Sequence, residues 1–408
     1  MLTRFLCAML LAWPCFSATL VAAAPLTLDE AVAMALRNQP LIDAQQAAID
    51  ASLNSAVSEG QLPDPRLKLG NINDPPGNFG LTRDFGERSV AIEQAFPRAE
   101  KRQLKSERAR LEGEVSRAEL ADLRRSIPRD ARLAWLNAYY PLRAASLVQE
   151  NLRYYERQQD ALEIALRTGK ARLAEVTRVQ VEIALQKDRL AELQGQVAKT
   201  RAELSRWVGP AAGRELPEAL PDLPQPLSLN DLRARVEQHP TNGVMLSEIS
   251  LAGNDVAQAR AAASPDWSLE VAYHRRGAAF TDFVSVQVGI DLPLFTANRQ
   301  DRTLAAKQAL RSKTESLHAD HLRKLVADTE ATYAEWQSNR DRLQRFDRDV
   351  LPQAGRRVDA AVAAYSSAQS DLPGVLEAKR AELELRLQRL ALAVATLKSR
   401  VQLAYFTE

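Results

Sequence analysis

Four short stretches of the chain alternate apolar residues with polar or small ones. They run through Leu67 and Leu69; Val90, Ile92 and Phe96; Trp267, Leu269, Val271 and Tyr273; and Val284, Val286, Val288, Ile290 and Leu292. Their alternate positions include Lys68, Glu93, Ser268, Glu270, His274, Ser285, Gln287 and Asp291. A period of two sends successive side chains to opposite faces, so each stretch predicts a strand with one greasy and one wet face. Such strands suit a half-buried sheet or a barrel with lipid outside and water within. They fall into two pairs, each ending near a proline: SVAIEQAFP closes the first at 89–97 and SVQVGIDLPLF the second at 285–295. The predicted strand hairpins span about 66–96 and about 267–292. Two hairpins cannot close a barrel in lipid, where an open edge leaves backbone groups unpaired at several kcal/mol each, so a barrel requires several chains.

After each hairpin the period changes. Residues 98–207 and 297–405 are rich in Ala, Leu, Arg, Glu and Gln, with apolar residues at helical spacing. Val176, Ile183, Leu190, Val197 and Leu204 recur every seven residues, with Val179, Leu193 and Trp207 on the companion seam and Gln186 and Thr200 interrupting it. Leu376, Leu383, Leu390 and Leu397 alternate in the same way with Leu387, Val394 and Val401. Heptads predict helices coiling against helices. Each stretch breaks once, at RTGKARLAEV (167–176) and at YSSAQSDLPGV (365–375), so each predicts a helical hairpin. At ~1.5 Å per residue the limb before each break reaches on the order of 100 Å, far more than a globular core needs. Pro128, Pro141 and Pro352 are expected to bend or interrupt these limbs.

The halves also repeat in order. PLTLDEAVAMALRNQP (25–40) matches PLSLNDLRARVEQHP (226–240), and Pro40, Ile49 and Pro65 align with Pro240, Ile249 and Pro265. The longer first loop, containing NDPPGNFG, shifts the match of Pro97 to Pro293. The predicted organisation is a first repeat over 25–225 and a second over 226–408, preceded by a segment at 1–24 with the layout of a secretory signal peptide. In that segment Arg4 precedes an apolar run from Phe5 to Leu20. A lipid on Cys15 is the alternative use of this segment, although Trp13 and Pro14 are poor neighbours for lipidation.

Composition narrows function by exclusion. The chain carries 54 basic and 52 acidic residues, so no global field selects nucleic acid. Both cysteines, Cys7 and Cys15, fall in the leader, which leaves no disulfide or thiolate metal site after cleavage. No phosphate loop, nucleophile elbow or zinc-hydrolase motif is present, so a non-enzyme with no cofactor is expected. His318 and His321 share a helix face without an accompanying carboxylate motif and are expected on solvent-exposed helix surface rather than at a metal.

This layout resembles the TolC family of outer membrane efflux proteins, on two repeats of short helix, strand hairpin ending in Pro, and long helical hairpin. The resemblance implies a mostly α fold with a membrane β-barrel, in which each protomer gives four strands and three protomers share one barrel and a periplasmic helical tunnel. It implies that Val284, Val286, Val288 and Ile290 face lipid and that Ser285, Gln287 and Asp291 face the lumen. FPRAEKR (96–102) and YHRRGAAFTDFVSVQVGIDLPLFTANRQ (273–300) resemble the heavy-metal efflux subgroup. The implied function is the passive outer membrane channel of a tripartite system in a Gram-negative bacterium, with a periplasmic adaptor and an inner membrane RND pump as partners. Multidrug efflux or type I secretion channels are the nearest alternatives, and a periplasmic coiled-coil adaptor is the alternative of another class. Adaptor contacts would fall on Gly169, Lys170, Ala171, Arg172 and Leu173 and on Ala368, Gln369, Ser370, Asp371 and Leu372. The family's gate falls on Glu175, Tyr365 and Glu377, with Arg172 or Asp371 substituting for family residues that are absent here.

Overall fold

A computed structural model describes residues 24–37, 39–72, 86–276, 280–367 and 369–406. The leader with Cys7 and Cys15, the NDPPGNFG loop and Ala368 lie outside the described residues. The chain opens with two short helices, α1 (Leu28–Arg37) and α2 (Pro40–Glu59), the second with its proline at the first turn, where a missing N–H costs nothing. The first strand pair follows, β1 (Arg66–Ile72) and β2 (Glu87–Phe96), and then the long hairpin of α3 (Ala99–Arg167) and α4 (Leu173–Val208). The same order recurs: α5 (Leu229–Val236), α6 (Pro240–Ala261), β3 (Trp267–Arg275), β4 (Phe283–Ile290), α7 (Gln300–Arg345), α8 (Leu351–Ser366) and α9 (Leu372–Tyr405).

The strands form one antiparallel sheet in the order β1-β2-β3-β4. The central pairing joins the two halves, with Phe96 opposite Trp267 and Arg88 opposite Arg275. All four helix-connected strand ends therefore share one end of the sheet. At the helix side, Asp266 accepts from the Arg98 backbone N–H at 3.0 Å and from Lys101 Nζ at 2.7 Å, while Arg98 Nε donates to the Pro265 carbonyl. Arg102 adds a bond to the Gly60 carbonyl at 3.0 Å. The FPRAEKR motif thus ties β2 and α3 to the other half of the chain.

Pro128 and Pro141 do not interrupt α3, which runs unbroken through both. Each proline removes one helical hydrogen bond, and tertiary packing offsets that loss: Pro141 is itself buried, beside Tyr139 and Ala144. The second limb is interrupted as expected, by a π-helical turn at Phe346–Val350 just before Pro352. A π-turn there widens the helix where the proline ring would meet the carbonyl four residues earlier.

The main core lies midway along the helices. Trp135, Leu136 and Val148 of α3 pack against Leu193 and Leu204 of α4 and Leu383, Leu387 and Val394 of α9. Leu376, Leu390, Leu397 and Val401 are buried as well, so the α9 heptad is a continuous apolar seam. Two polar side chains there reach backbone carbonyls: Trp135 Nε1 donates to that of Leu26 at 2.9 Å and Tyr139 Oη to that of Glu218 at 2.5 Å.

Candidate functional site

Two regions carry chemistry beyond packing: the tips of the helical hairpins and the faces of the sheet. At the first tip, α3 ends in a Schellman turn. Gly169 adopts φ +71°, its N–H bonds the Leu166 carbonyl at 3.0 Å, and the Lys170 N–H bonds that of Ala165 at 2.8 Å. Arg172 takes the N-cap position of α4: the Glu175 carboxylate accepts from the Arg172 backbone N–H at 2.9 Å, and the Glu175 N–H bonds the Arg172 carbonyl at 3.0 Å. At the second tip the Gln369 N–H bonds the Ala364 carbonyl at 2.8 Å, the same long bond that Lys170 makes.

The structure brings some of the expected tip residues together and separates others. Tyr365 packs on a cluster of Tyr155, Leu162, Val176, Val179, Leu372 and Leu376 that joins the two tips. Its phenol is pushed up, first by burial and second by the nearby Glu175 charge. Lys170, Arg172, Leu173, Gln369, Ser370 and Asp371 are exposed, whereas Leu372 is fully buried and anchors the second tip. Glu377 stands apart from the tip cluster, 73% exposed at its side chain, and pairs with Arg357 of α8 at 2.7 Å.

Above the tips lies a polar seam that the sequence reading did not single out. Glu182 of α4, buried at the side chain, pairs with Arg380 of α9, and Arg189 of α4 pairs with Glu384 of α9. Glu382 holds both Lys379 and Arg386, and Arg386 also reaches Glu150 of α3 at 3.7 Å. Gln186 is buried at a heptad position with its Oε1 unpartnered. The available signal was the polar break in the α4 heptad opposite a charge-rich stretch of α9.

His318 and His321 are not on open surface, contrary to the sequence expectation. Both are half-buried where α7 meets the start of α6: His318 Nε2 bonds Asn242 and His321 Nε2 bonds Thr241 Oγ1 at 3.2 Å. His239, fully buried, caps α6 through Thr241 and donates from Nε2 to the Tyr405 carbonyl at 3.0 Å. Among the described residues no group of His, Cys, Asp and Glu is arranged to hold a metal.

The sheet has two contrasting faces. On one, cross-strand neighbours line up as Leu69, Val90, Tyr273 and Val284, then as Leu67, Ile92, Val271 and Val286. Leu269 opposite Val288 and Trp267 opposite Ile290 continue the rows, and Trp267 stacks on Phe96 at 4.2 Å. Leu69 is 74% exposed and Val286 65%, so this apolar face is bare within one protomer. The other face carries Lys68 paired with Glu93 and Glu270 at 2.8 and 2.7 Å, small residues such as Ala91 and Ala272, and His274 bonded to Ser285 Oγ at 2.8 Å. No described helix is long and apolar enough to cross a membrane.

Comparison with solved structures decides the architecture. The structure of CusC, described for its folding and transmembrane channel formation, superposes with a TM-score of 0.76 at 18% identity, covering 94% of this chain and 92% of that one. The chain has the fold of the TolC-family outer membrane channels. The CmeC outer membrane channel of Campylobacter jejuni shares this TolC-type fold with a TM-score of 0.78 at 12% identity, over 93% of this chain and 85% of that one. In sequence, the chain is 23% identical over 374 residues to the cobalt-zinc-cadmium resistance protein CzcC of Cupriavidus metallidurans, covering 90% of this chain and 87% of CzcC. No family model matches the sequence.

Proposed function

We propose that this chain is the outer membrane channel of a tripartite efflux system and that its cargo is heavy-metal cations. The observation that carries the reading is the bare apolar face, in register across all four strands of a sheet whose edge strands β1 and β4 are open. Edges cannot stay open in lipid, so three copies joining β1 of one to β4 of the next form one barrel. The helices then extend as a tunnel into the periplasm of a Gram-negative cell. The chain binds no cofactor and performs no chemistry. An inner membrane RND pump supplies the energy and a periplasmic adaptor docks at the hairpin tips around Gly169–Leu173 and 368–372.

The two repeats, 25–225 and 226–408, each contribute one strand pair and one helical hairpin to this plan. At the tip, Glu175 and Tyr365 act in closure, with Arg172 and Asp371 at the starts of α4 and α9 as auxiliary groups. A ring of Glu377 carboxylates from three protomers favours cations once each is released from Arg357. The metal cargo rests on the likeness to CzcC, whose name gives cobalt, zinc and cadmium. A strain deleted for the gene, with and without a plasmid copy, is tested for growth on zinc, cobalt, cadmium, copper, silver and hydrophobic drugs. Metal sensitivity restored by the copy is expected. Sensitivity to drugs alone retains the channel and removes the metal cargo.

A further inference from the structure

Within a protomer the two halves of the chain meet at one strand seam. β2 of the first repeat pairs with β3 of the second, Phe96 opposite Trp267, and the two rings stack at 4.2 Å. Phe96 immediately precedes Pro97, and Trp267 lies two residues after Pro265. The equivalent prolines in the other halves are Pro293 and Pro65, so the counterparts of Phe96 and Trp267 are Leu292, just beyond β4, and Leu67 of β1. β1 and β4 are the two strands with open edges. Leu67, Leu69, Ile290 and Leu292 are all exposed there.

We infer that the seam between protomers repeats the seam between the halves: β4 of one copy pairs antiparallel with β1 of the next, with Leu292 opposite Leu67, Ile290 opposite Leu69 and Val288 opposite Asn71. This rests on the barrel reading above and adds its register. Barrel geometry supports the same register independently of the repeat. Arg66 of β1 lies level with Glu93, Glu270 and Gln287 across the four strands. Gln287 then meets Ile72 of the next copy, at the far end of β1 from Arg66. One protomer thus advances ~20 Å along the strands for ~19 Å across them, a tilt of about 45°, which is that of membrane strands. A slip of one residue sets the apolar face of one copy beside the wet face of the next. A stagger two residues longer tilts the strands beyond the ~35–45° of such barrels. One two residues shorter sets Leu292 against Pro65 in place of the Leu67 that the internal seam prescribes.

Beyond Leu292 the internal seam cannot be copied. There Asp266 accepts from the Arg98 backbone N–H and from Lys101. Leu294 stands in the place of Arg98 and Arg66 in the place of Asp266, so no such charged clamp forms between copies. Leu294 and Phe295 are instead 73% and 81% exposed within one protomer. They continue the apolar row past β4 and lie over residues 62–65 of the next copy, where Leu62 is exposed as well. A hydrophobic seal takes the place of the clamp, and it forms only when the next copy is present.

Disulfide mapping tests the register in the full chain, oxidised in isolated outer membranes and run on denaturing gels without reductant. The native cysteines, Cys7 and Cys15, lie in the leader, and the parent chain serves as the blank. Directly opposed residues of an antiparallel pair have Cα atoms ~4.5–5.5 Å apart and diagonal neighbours ~7–8 Å, while a disulfide spans at most ~7 Å. I290C/L69C is therefore expected to give covalent dimers and trimers about fivefold more abundant than those of I290C/L67C or I290C/N71C. Bridges within one chain are out of reach, because β1 and β4 stand three strand spacings apart, ~14 Å. Cross-linking strongest at L67C or N71C overturns the register. No cross-linking by any of the three, in protein that still runs as an oligomer on unboiled gels, overturns the seam. For the seal, L294S/F295S is expected to lower the temperature at which that oligomer dissociates, and an unchanged temperature overturns it. F295A alone carries the same reading if the double variant fails to assemble. Protein that extracts without detergent as a soluble monomer sinks the barrel reading itself, an outcome separate from the cross-linking pattern.

Discussion

At the scale of single residues, His239 shows how one buried group can couple stability to pH. Its Nε2 donates to the Tyr405 carbonyl while Nδ1 faces Thr241, so the neutral ring completes a cap and a helix end together. Burial is the main force lowering its pKa; Arg125 and His321 push the same way, and the Tyr405 carbonyl and Asp122 oppose them. Because the folded pKa is depressed, the unfolded chain binds the proton more readily. The stability this group contributes is whole above the unfolded value of ~6.5 and is lost as pH falls below it. Thermal melts of the detergent-solubilised protein are expected to be flat from pH 8 to 7 and to decline below pH 6.5, with a shallower decline in H239Q. An unchanged decline in H239Q would place the titration elsewhere. At the tip, Gly169→Ala puts a Cβ into left-handed backbone at φ +71°, a change expected to cost on the order of 1 kcal/mol with no steric clash to explain it. For closure, E175A/Y365F is expected to raise single-channel conductance in a planar bilayer, because it removes both the α4 capping carboxylate and the phenol beside it. Conductance equal to wild type would count against that role.

At the scale of elements, the helical seam has one conspicuous flaw. Gln186 takes a heptad position where Val179 and Leu193 are buried, and its Oε1 has no partner. Replacing a buried, half-satisfied amide by an apolar side chain of similar size removes a desolvation cost, so Q186L is expected to stabilise the protein by ~1 kcal/mol in denaturant or thermal unfolding. A loss of stability would mean that the amide is satisfied in the assembled wall. The seam was legible because a period of seven survives whatever the helices pack against: Leu376, Leu383, Leu390 and Leu397 all proved buried. The strands were legible for the same reason, since a period of two turns every apolar residue to one face and the register keeps them together. What could not be read is what depends on neighbours distant in sequence. The Asp266 clamp on Arg98 and Lys101, the contacts of His318 and His321 with α6, and the Glu182 pair with Arg380 join residues far apart along the chain, and no local period announces them. Pro141 was expected to bend or interrupt its limb; interruption does not occur, because the buried proline leaves α3 continuous through it.

At the scale of the whole molecule, the same alternation that defines the strands decides which solvent each face meets. A charge on the outward face at mid-height has to sit in hydrocarbon, at a cost of ~2 to 4 kcal/mol per site for Lys or Arg near the bilayer midplane. Three copies in one barrel would multiply that cost, enough to prevent stable assembly. Val271 and Val286, opposite each other at the middle of the apolar face, are the sensitive positions. Gln287, one residue from Val286 but on the other face, opposes Glu270 and in the proposed barrel would meet water in the lumen. V286R is therefore expected to be lost from the outer membrane fraction and to show no heat-sensitive oligomer on unboiled gels, while Q287R assembles like wild type and changes only ion selectivity. The paired design matters because both variants add the same charge one residue apart, so a general effect of arginine on folding would strike both alike. If Q287R fails and V286R assembles, the faces are reversed and lipid covers the side carrying Lys68 and Glu270. If both assemble equally well, the sheet does not lie in a bilayer at all, and the apolar face must be covered by protein.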